Sequence, residues 1–151
     1  LRPSVLDDLG LLAAFRWLVE DSEQRLHLYV TLEVQGLDDI LQSLPEAYET
    51  ALFRIAQESL TNVARHAHAE RVFVTLSYQQ QGLHLIIYDD GQGYNREEQH
   101  EGMGIFGMRE RATALGGTLI ISSHIQQGTT VQTVLPLGLT TETKNIRELK
   151  G

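Results

Sequence analysis

Apolar residues recur at helical spacing over the first twenty positions, where Val5, Leu6, Leu9, Leu12, Phe15, Leu18 and Val19 are interleaved with Asp7, Asp8, Arg16 and Glu20. The spacing predicts a helix over residues 5–20, started by Pro3 and Ser4 and weakened at Gly10. Over residues 27–34 the period drops to two, with Leu28, Val30, Leu32 and Val34 on one face, which predicts a strand. Residues 36–43 read as a loop. Pro45 opens the clearest helix, predicted to run to about His66, with Leu52, Ile55, Ala56, Ser59, Leu60 and Val63 as its buried stripe. Strands at 71–78 and 83–88, joined around Gly82, predict a hairpin. A glycine-punctuated loop follows over 91–104. Ile105, Met108, Ala112 and Leu115 then mark a helix stopped by Gly116 and Gly117. Two last strands, 118–123 and 130–135, flank Gln126, Gln127 and Gly128, and the tail from Thr140 is expected to fray.

The predicted order is helix, strand, helix, two strands, helix, two strands. Hairpin-paired strands with helices between the groups imply an α+β, two-layer sandwich: a mixed, mostly antiparallel sheet covered by helices on one face. A doubly wound sheet needs strand and helix to alternate one for one, and this order does not.

Composition narrows the chemistry. At 151 residues, 42% of them apolar, a single domain can bury a core without staples. The absence of cysteine removes disulfides, thiolate metal sites and Cys nucleophiles together. A net charge of −8 argues against a nucleic-acid binder, whose affinity rests on neutralising phosphates. It does not exclude a small anionic ligand, which backbone amides and a helix N-terminus can hold. No apolar run approaches the roughly 20 residues that span a bilayer. The chain starts at Leu1, inside helical sequence, and reads as a piece of a longer protein.

Four features could carry chemistry. Arg54, Glu58, Asn62 and His66 follow one another at i, i+4 on the long helix, with Arg65 beside them. A carboxylate and a carboxamide one turn apart suit Mg²⁺, which takes few protein ligands and completes its shell with water and phosphate. Asp89, Asp90, Gly91, Gln92 and Gly93 directly follow an apolar strand, where a carboxylate could accept from a ligand amino group and a flat heterocycle could lie on the glycines. Gly102, Met103 and Gly104 precede a helix whose free amides could meet a phosphate chain. The run spells G-x-G-x-x-G, but no strand precedes it, so the dinucleotide-fold reading fails. Gly128 and Thr129 lead into the last strand. Taken singly, each reads equally as a solvated stripe, a turn, a helix cap or a sheet edge.

Their order and separations carry more. Glu58-x-x-x-Asn62, the Asp90 glycine segment, Gly102-x-Gly104 and Gly128-Thr129 resemble the ordered boxes of the ATP-binding domain of sensor histidine kinases, the superfamily shared with gyrase B, Hsp90 and MutL. "FRIAQESLTNVARHAHA", "DDGQGY" and "GMGIFGMRERATALGGTL" look like the subfamily of the nitrate/nitrite and hexose-phosphate sensors. "LRPSVLDDLGLLAAF" is similar to its segment linking dimerisation helices to the ATP-binding domain.

The resemblance covers residues 1 to about 137 and implies the Bergerat-type fold, with residues 1–20 as linker, 21–138 as the catalytic domain and 139–151 as a disordered tail. It implies ATP and Mg²⁺ as ligands, Asn62 on the metal, and Glu58 orienting the reacting groups. Arg65 and His66 fall on the phosphate side. Asp90, chosen over Asp89, would accept from the adenine amino group, with Gly91 and Gly93 shaping that pocket. Residues 94–101 would form a short lid closed by Gly102, Met103 and Gly104, and Thr129 would complete the adenine side. The activity implied is transfer of the γ-phosphoryl group to a His on a dimerisation helix, then to a response regulator. None of the six histidines has the phosphoacceptor context, so the acceptor is expected elsewhere in the parent. The parent implied is a membrane-anchored homodimer with this domain in the cytoplasm, at the inner membrane. Two alternatives remain open: an anti-sigma-factor-type protein Ser/Thr kinase, or a non-catalytic α/β interaction module.

Overall fold

Gly10 divides the first helical stretch in two. The computed structural model describes residues 1–94 and 102–137, so the lid expectation beyond Tyr94, the position of His100 and the tail lie outside the described residues. Helix α1 spans Ser4–Leu9 and α2 spans Leu11–Leu26, with Gly10 between them at φ 80°, ψ 172°. That backbone region is essentially closed to residues with a Cβ, so the break is local and geometric. The helix runs six residues past position 20 and ends at His27, which adopts the left-handed conformation. Strand β1 therefore begins at Tyr29 and spans Tyr29–Gln35. The expected strand start at residue 27 is two residues early, because alternation of Leu28 and Val30 continues across a helix cap.

Helix α3 spans Glu46–Asn62, started by Pro45, and passes directly into a π-helical turn, Val63–Ala67. Strands β2 (Arg71–Gln79) and β3 (Gly82–Asp89) form the expected hairpin, turned by Gln80 and Gln81, both at positive φ. Helix α4 spans Met103–Ala114, and β4 (Thr118–Ser123) and β5 (Thr129–Pro136) complete the chain order. A 3₁₀ turn, Leu41–Ser43, is the one element the periodicity did not mark. Three residues are too few to show a period.

The five strands form one sheet in the order β1-β2-β3-β5-β4. β1 and β2 are parallel, and every other neighbouring pair is antiparallel. Val72, Val74 and Leu76 of β2, Leu85 and Ile87 of β3, Leu135 of β5 and Ile121 of β4 point to one face and are buried under the helices. The opposite face carries Phe73, Tyr88 and Ile120, all exposed. Period-two alternation in an antiparallel sheet with one covered face produces this division. Phe15 of α2 meets Phe53 of α3 edge-on at 6.4 Å, and Leu6 of α1 and Leu18 of α2 belong to the same core. Each fully buried side chain of this size contributes about 1.5–3 kcal/mol relative to exposure.

Arg2 secures the start of the chain. Its guanidinium donates to Asp7 at 2.6 Å, to Glu49 at 3.0 Å, to Thr50 Oγ1 at 3.1 Å and to the Glu46 carbonyl at 3.0 Å. The segment before α1 is thereby tied to the first turns of α3.

Candidate active site

The π-turn, the C-terminal end of β3, the start of α4 and strands β4 and β5 surround a cavity of about 340 Å³. Its apolar wall includes Val63, Ile87, Met108, Ile121 and Val131, and its polar groups include Asn62, His66, Asp89, Gln92 and Thr129. Asn62 ends α3 and His66 sits in the π-turn. A π-turn spreads the helix by one residue per turn and recurs at functional sites. Here it brings Asn62, Val63 and His66 to one wall.

Asp89 is the carboxylate that faces this space. It is 3% exposed, and Oδ1 accepts from the Gly91 amide at 2.9 Å. Burial pushes its carboxyl above the ordinary aspartate value, while the Gly91 and Thr129 amides oppose the shift and the neighbouring Asp90 charge adds a little to it. Asp90 is elsewhere. Its Oδ1 accepts from the Glu70 amide at 3.0 Å and the Arg71 amide at 2.9 Å, and it lines no part of the cavity.

The expectation that Asp90 faces the pocket is therefore corrected to Asp89. The physical reason is strand alternation: Leu83, Leu85, Ile87 and Asp89 share the helix-covered face, and the next residue must leave it. The spacing says the same once counted back from Gly91 and Gly93, since Asp-x-Gly-x-Gly places the first residue at 89.

Gly93 lines the cavity, and Gly128 packs against the backbone of Asp89. Both have positive φ, and a Cβ on Gly93 would run into the His124 carbonyl oxygen and one on Gly128 into the Asp89 carbonyl oxygen. Three further bonds hold the loop around them. Tyr94 donates its amide to Ser123 Oγ at 2.9 Å, Ser123 Oγ lies 2.7 Å from Thr129 Oγ1, and the Gln126 amide donates to the Gln92 carbonyl. Gln92 Nε2 in turn donates to the His66 carbonyl at 2.9 Å, linking this loop to the π-turn. Opposite, Gly102 precedes α4 with no side-chain cap, and Gly102 and Gly104 both line the cavity. Uncapped first-turn amides with the positive end of a helix dipole form an anion-binding surface.

Asn62, His66, Gly93, Gly102, Gly104 and Thr129 are thus brought together as expected, and Gly91 supports Asp89 from beside the cavity. Besides Asp90 and Gly91, three expected residues are not in that wall. Glu58 and Met103 line a neighbouring cleft between α3 and α4. Arg65 is exposed and lines neither space. It falls on the outer side of the π-turn, which shifts the register that pure i, i+4 spacing assumes.

Sequence reasoning missed Gln92 and the apolar wall of Ile87, Ile121 and Val131. Strand alternation marks that wall as inward but not as lining a void. Among the described residues no group of three or more His, Asp or Glu gathers to hold a metal. A cation beside Asn62 would draw its other ligands from phosphate and water.

The histidine kinase-, DNA gyrase B-, and HSP90-like ATPase family matches residues 47–139. The chain is 36% identical over 143 residues to the signal transduction histidine-protein kinase/phosphatase DegS of Brevibacillus brevis, covering 94% of this chain and 36% of that protein. It is 40% identical over 136 residues to UhpB of Salmonella typhimurium, a protein of the same description, covering 90% and 26%. The oxygen sensor histidine kinase NreB of Staphylococcus carnosus is 35% identical over 139 residues, covering 91% and 39%. The chain spans about a quarter to two fifths of these relatives' length.

Among solved structures, the blue-light activated histidine kinase of Erythrobacter litoralis EL346 superposes with a TM-score of 0.71 at 21% identity, over 85% of this chain and 45% of that one. Acinetobacter baumannii AdeS superposes with a TM-score of 0.65 at 17% identity, over 89% and 73%. These two show the fold. The ordered boxes, the mixed one-face sheet and the cavity between the π-turn and α4 thus agree with the matches: the chain belongs to the histidine kinase-, DNA gyrase B- and HSP90-like ATPase family, as an ATP-binding domain homologous to the catalytic domains of sensor histidine kinases.

Proposed function

We propose that this domain holds Mg-ATP with the adenine against Asp89 and the phosphates at the start of α4, and transfers the γ-phosphoryl group to a His on the dimerisation helices of its parent kinase. The observation that carries the reading is one buried carboxylate on an apolar wall, facing an uncapped helix N-terminus across a cavity of about 340 Å³. A purine needs the first feature and a triphosphate the second. Asp89 accepts from the adenine amino group, Gly93 presents bare backbone to the ring, and Thr129 closes that side. Asn62 and His66 face the phosphates, and the Gly102 to Gly104 amides take their charge.

Mg²⁺, when bound, neutralises phosphate charge and orients the terminal group. In the transfer, the bond from the β–γ bridging oxygen to phosphorus breaks, a bond from a histidine nitrogen forms, and ADP leaves. Glu58 stands one turn before Asn62, placed to orient the acceptor. Positioning and charge neutralisation supply most of such catalysis. The phosphate then passes to a response regulator, and the parent is a membrane-anchored homodimer with this domain on the cytoplasmic side. The relatives' names favour this reading over a Ser/Thr kinase.

Calorimetry on Asn62→Ala tests the metal assignment. Affinity for ATP with Mg²⁺ should fall about tenfold, or 1.4 kcal/mol, while affinity in EDTA stays near wild type. Equal losses in both media would remove Asn62 from the metal.

A further inference from the structure

A second space adjoins the first. A cleft of about 280 Å³ runs between α3 and α4, shares Gly104 and Met108 with the nucleotide cavity, and has Glu58, Arg54 and Arg111 along its sides. Glu58 stands at the junction, with its carboxylate packed where a Cβ on Gly104 would meet it. Arg54 lies one turn before Glu58 on α3, and Arg111 lies one turn beyond Gly107 on α4. Arg54 donates to Gln57 Oε1 at 2.9 Å and to the Leu1 carbonyl at 3.0 Å, both neutral acceptors. Arg111 makes no ion pair among the described residues. Two guanidinium groups thus border a cleft whose one acidic wall residue is Glu58, in a chain of net charge −8.

We infer that this cleft docks the polypeptide that receives the phosphoryl group, with Arg54 and Arg111 binding an acidic side chain of that acceptor segment. The inference rests on the proposed transfer reaction. Arg54 and Arg111 line this cleft and not the nucleotide cavity, and Arg54 stands two turns, about 12 Å of helix rise, from Asn62. An anion held by the arginines is thus assigned to the second substrate, and Glu58 lies between Arg54 and Asn62 along α3. The Leu1 carbonyl, accepting from Arg54, lies beside the same cleft. Met103, 91% exposed on the cleft wall, adds an apolar contact for a docked segment. Arginine suits the task because its planar donor fork pairs with a carboxylate through two hydrogen bonds.

The test uses the intact kinase with Arg54→Gln and Arg111→Gln together, and the corresponding Lys pair as the conservative control. Initial rates of histidine labelling from γ-labelled ATP are measured across ATP concentration, with melting curves to establish that each variant is folded. The Gln pair should lower kcat about tenfold or more with KM for ATP unchanged, and the Lys pair should regain part of the loss. The wild-type rate should fall more steeply with added salt than the Gln-pair rate. An unchanged kcat overturns the docking role, and a rise in KM for ATP at constant kcat overturns it by assigning the arginines to the nucleotide. A wild-type kinase that binds no ATP defeats the proposed function itself, a result distinct from either.

Discussion

At the scale of single residues, the two adjacent aspartates separate by environment. Asp89 is buried with its carboxyl raised above the ordinary value, chiefly by desolvation. A group raised in the folded state contributes stability that is present below its unfolded pKa and lost as pH rises through the folded one. Ligand-free Asp89→Asn should therefore equal or exceed wild-type stability at neutral pH, with the difference shrinking toward and below about pH 4. The same variant should lose nucleotide affinity by about a hundredfold, because an adenine amino donor is left without its acceptor in a desolvated site. Asp90→Ala should do the reverse. It leaves affinity near wild type but costs about 1–2 kcal/mol, since the Glu70 and Arg71 amides lose their acceptor. Urea melts and calorimetry on the pair decide the assignment, and loss of affinity in Asp90→Ala alone would reverse it.

Thr133 is a different case. Its hydroxyl is fully buried on the core side of β5 with no hydrogen-bond partner among the described residues. Thr133→Val keeps the shape and removes the unmet polar group, so stability should rise by about 1 kcal/mol in urea. A clear loss would mean that the hydroxyl is satisfied in solution.

At the scale of elements, the β2–β3 turn is made of two glutamines with φ of 51° and 60°. Positive φ at both central residues is the type I′ condition that Asn-Gly meets at least cost. Gln80→Asn with Gln81→Gly should therefore stabilise the domain by about 1 kcal/mol in equilibrium unfolding, with no change in ATP affinity, since the turn is at the far end of β3 from Asp89. A fall in stability would show that the glutamine side chains make contacts worth more than the strain. The π-turn is the opposite kind of irregular element. It stands where α3 meets the cavity, and Gln92 holds its His66 carbonyl, so its geometry serves the site rather than the chain reversal.

For the molecule as a whole, ligand linkage gives the direct measurement. Mg-ATP at a hundredfold excess over its Kd should raise unfolding free energy by about 2.7 kcal/mol, and a non-binding module would show no shift. The 151-residue chain should bind Mg-ATP yet not label itself at an acid-labile, base-stable site. On the proposed reading, dimerisation helices carrying the acceptor His, supplied as a separate polypeptide, should become labelled, limited by the loss of effective concentration. His66 is the histidine to watch, because it lines the cavity. Strong labelling of the isolated chain, mapped to His66, would make it an acceptor and would undo the division between catalytic and acceptor parts.

Hydrophobic period marked the helical stretches, the strands and the one covered face, because burial on one side of a helix or strand writes itself into spacing at 3.6 or 2. Glu58, Asn62, His66, the glycines and Thr129 were legible as a set through the resemblance of their order and separations to the boxes of sensor histidine kinases. What tertiary structure alone decided concerns direction and enclosure. Gly10 splits a helix whose apolar spacing runs on unbroken, since a positive φ leaves no mark on neighbouring side chains. The parallel pairing of β1 with β2 depends on a helix crossing between them, a long-range contact that no local pattern encodes. The enclosure of Asp89 by Thr129 of β5 and the start of α4 is likewise tertiary, although the spacing to Gly91 and Gly93 already singles it out from Asp90. Arg54 and Arg111, 57 positions apart in the sequence, border one cleft only because α3 and α4 pack together where Gly104 makes room for Glu58.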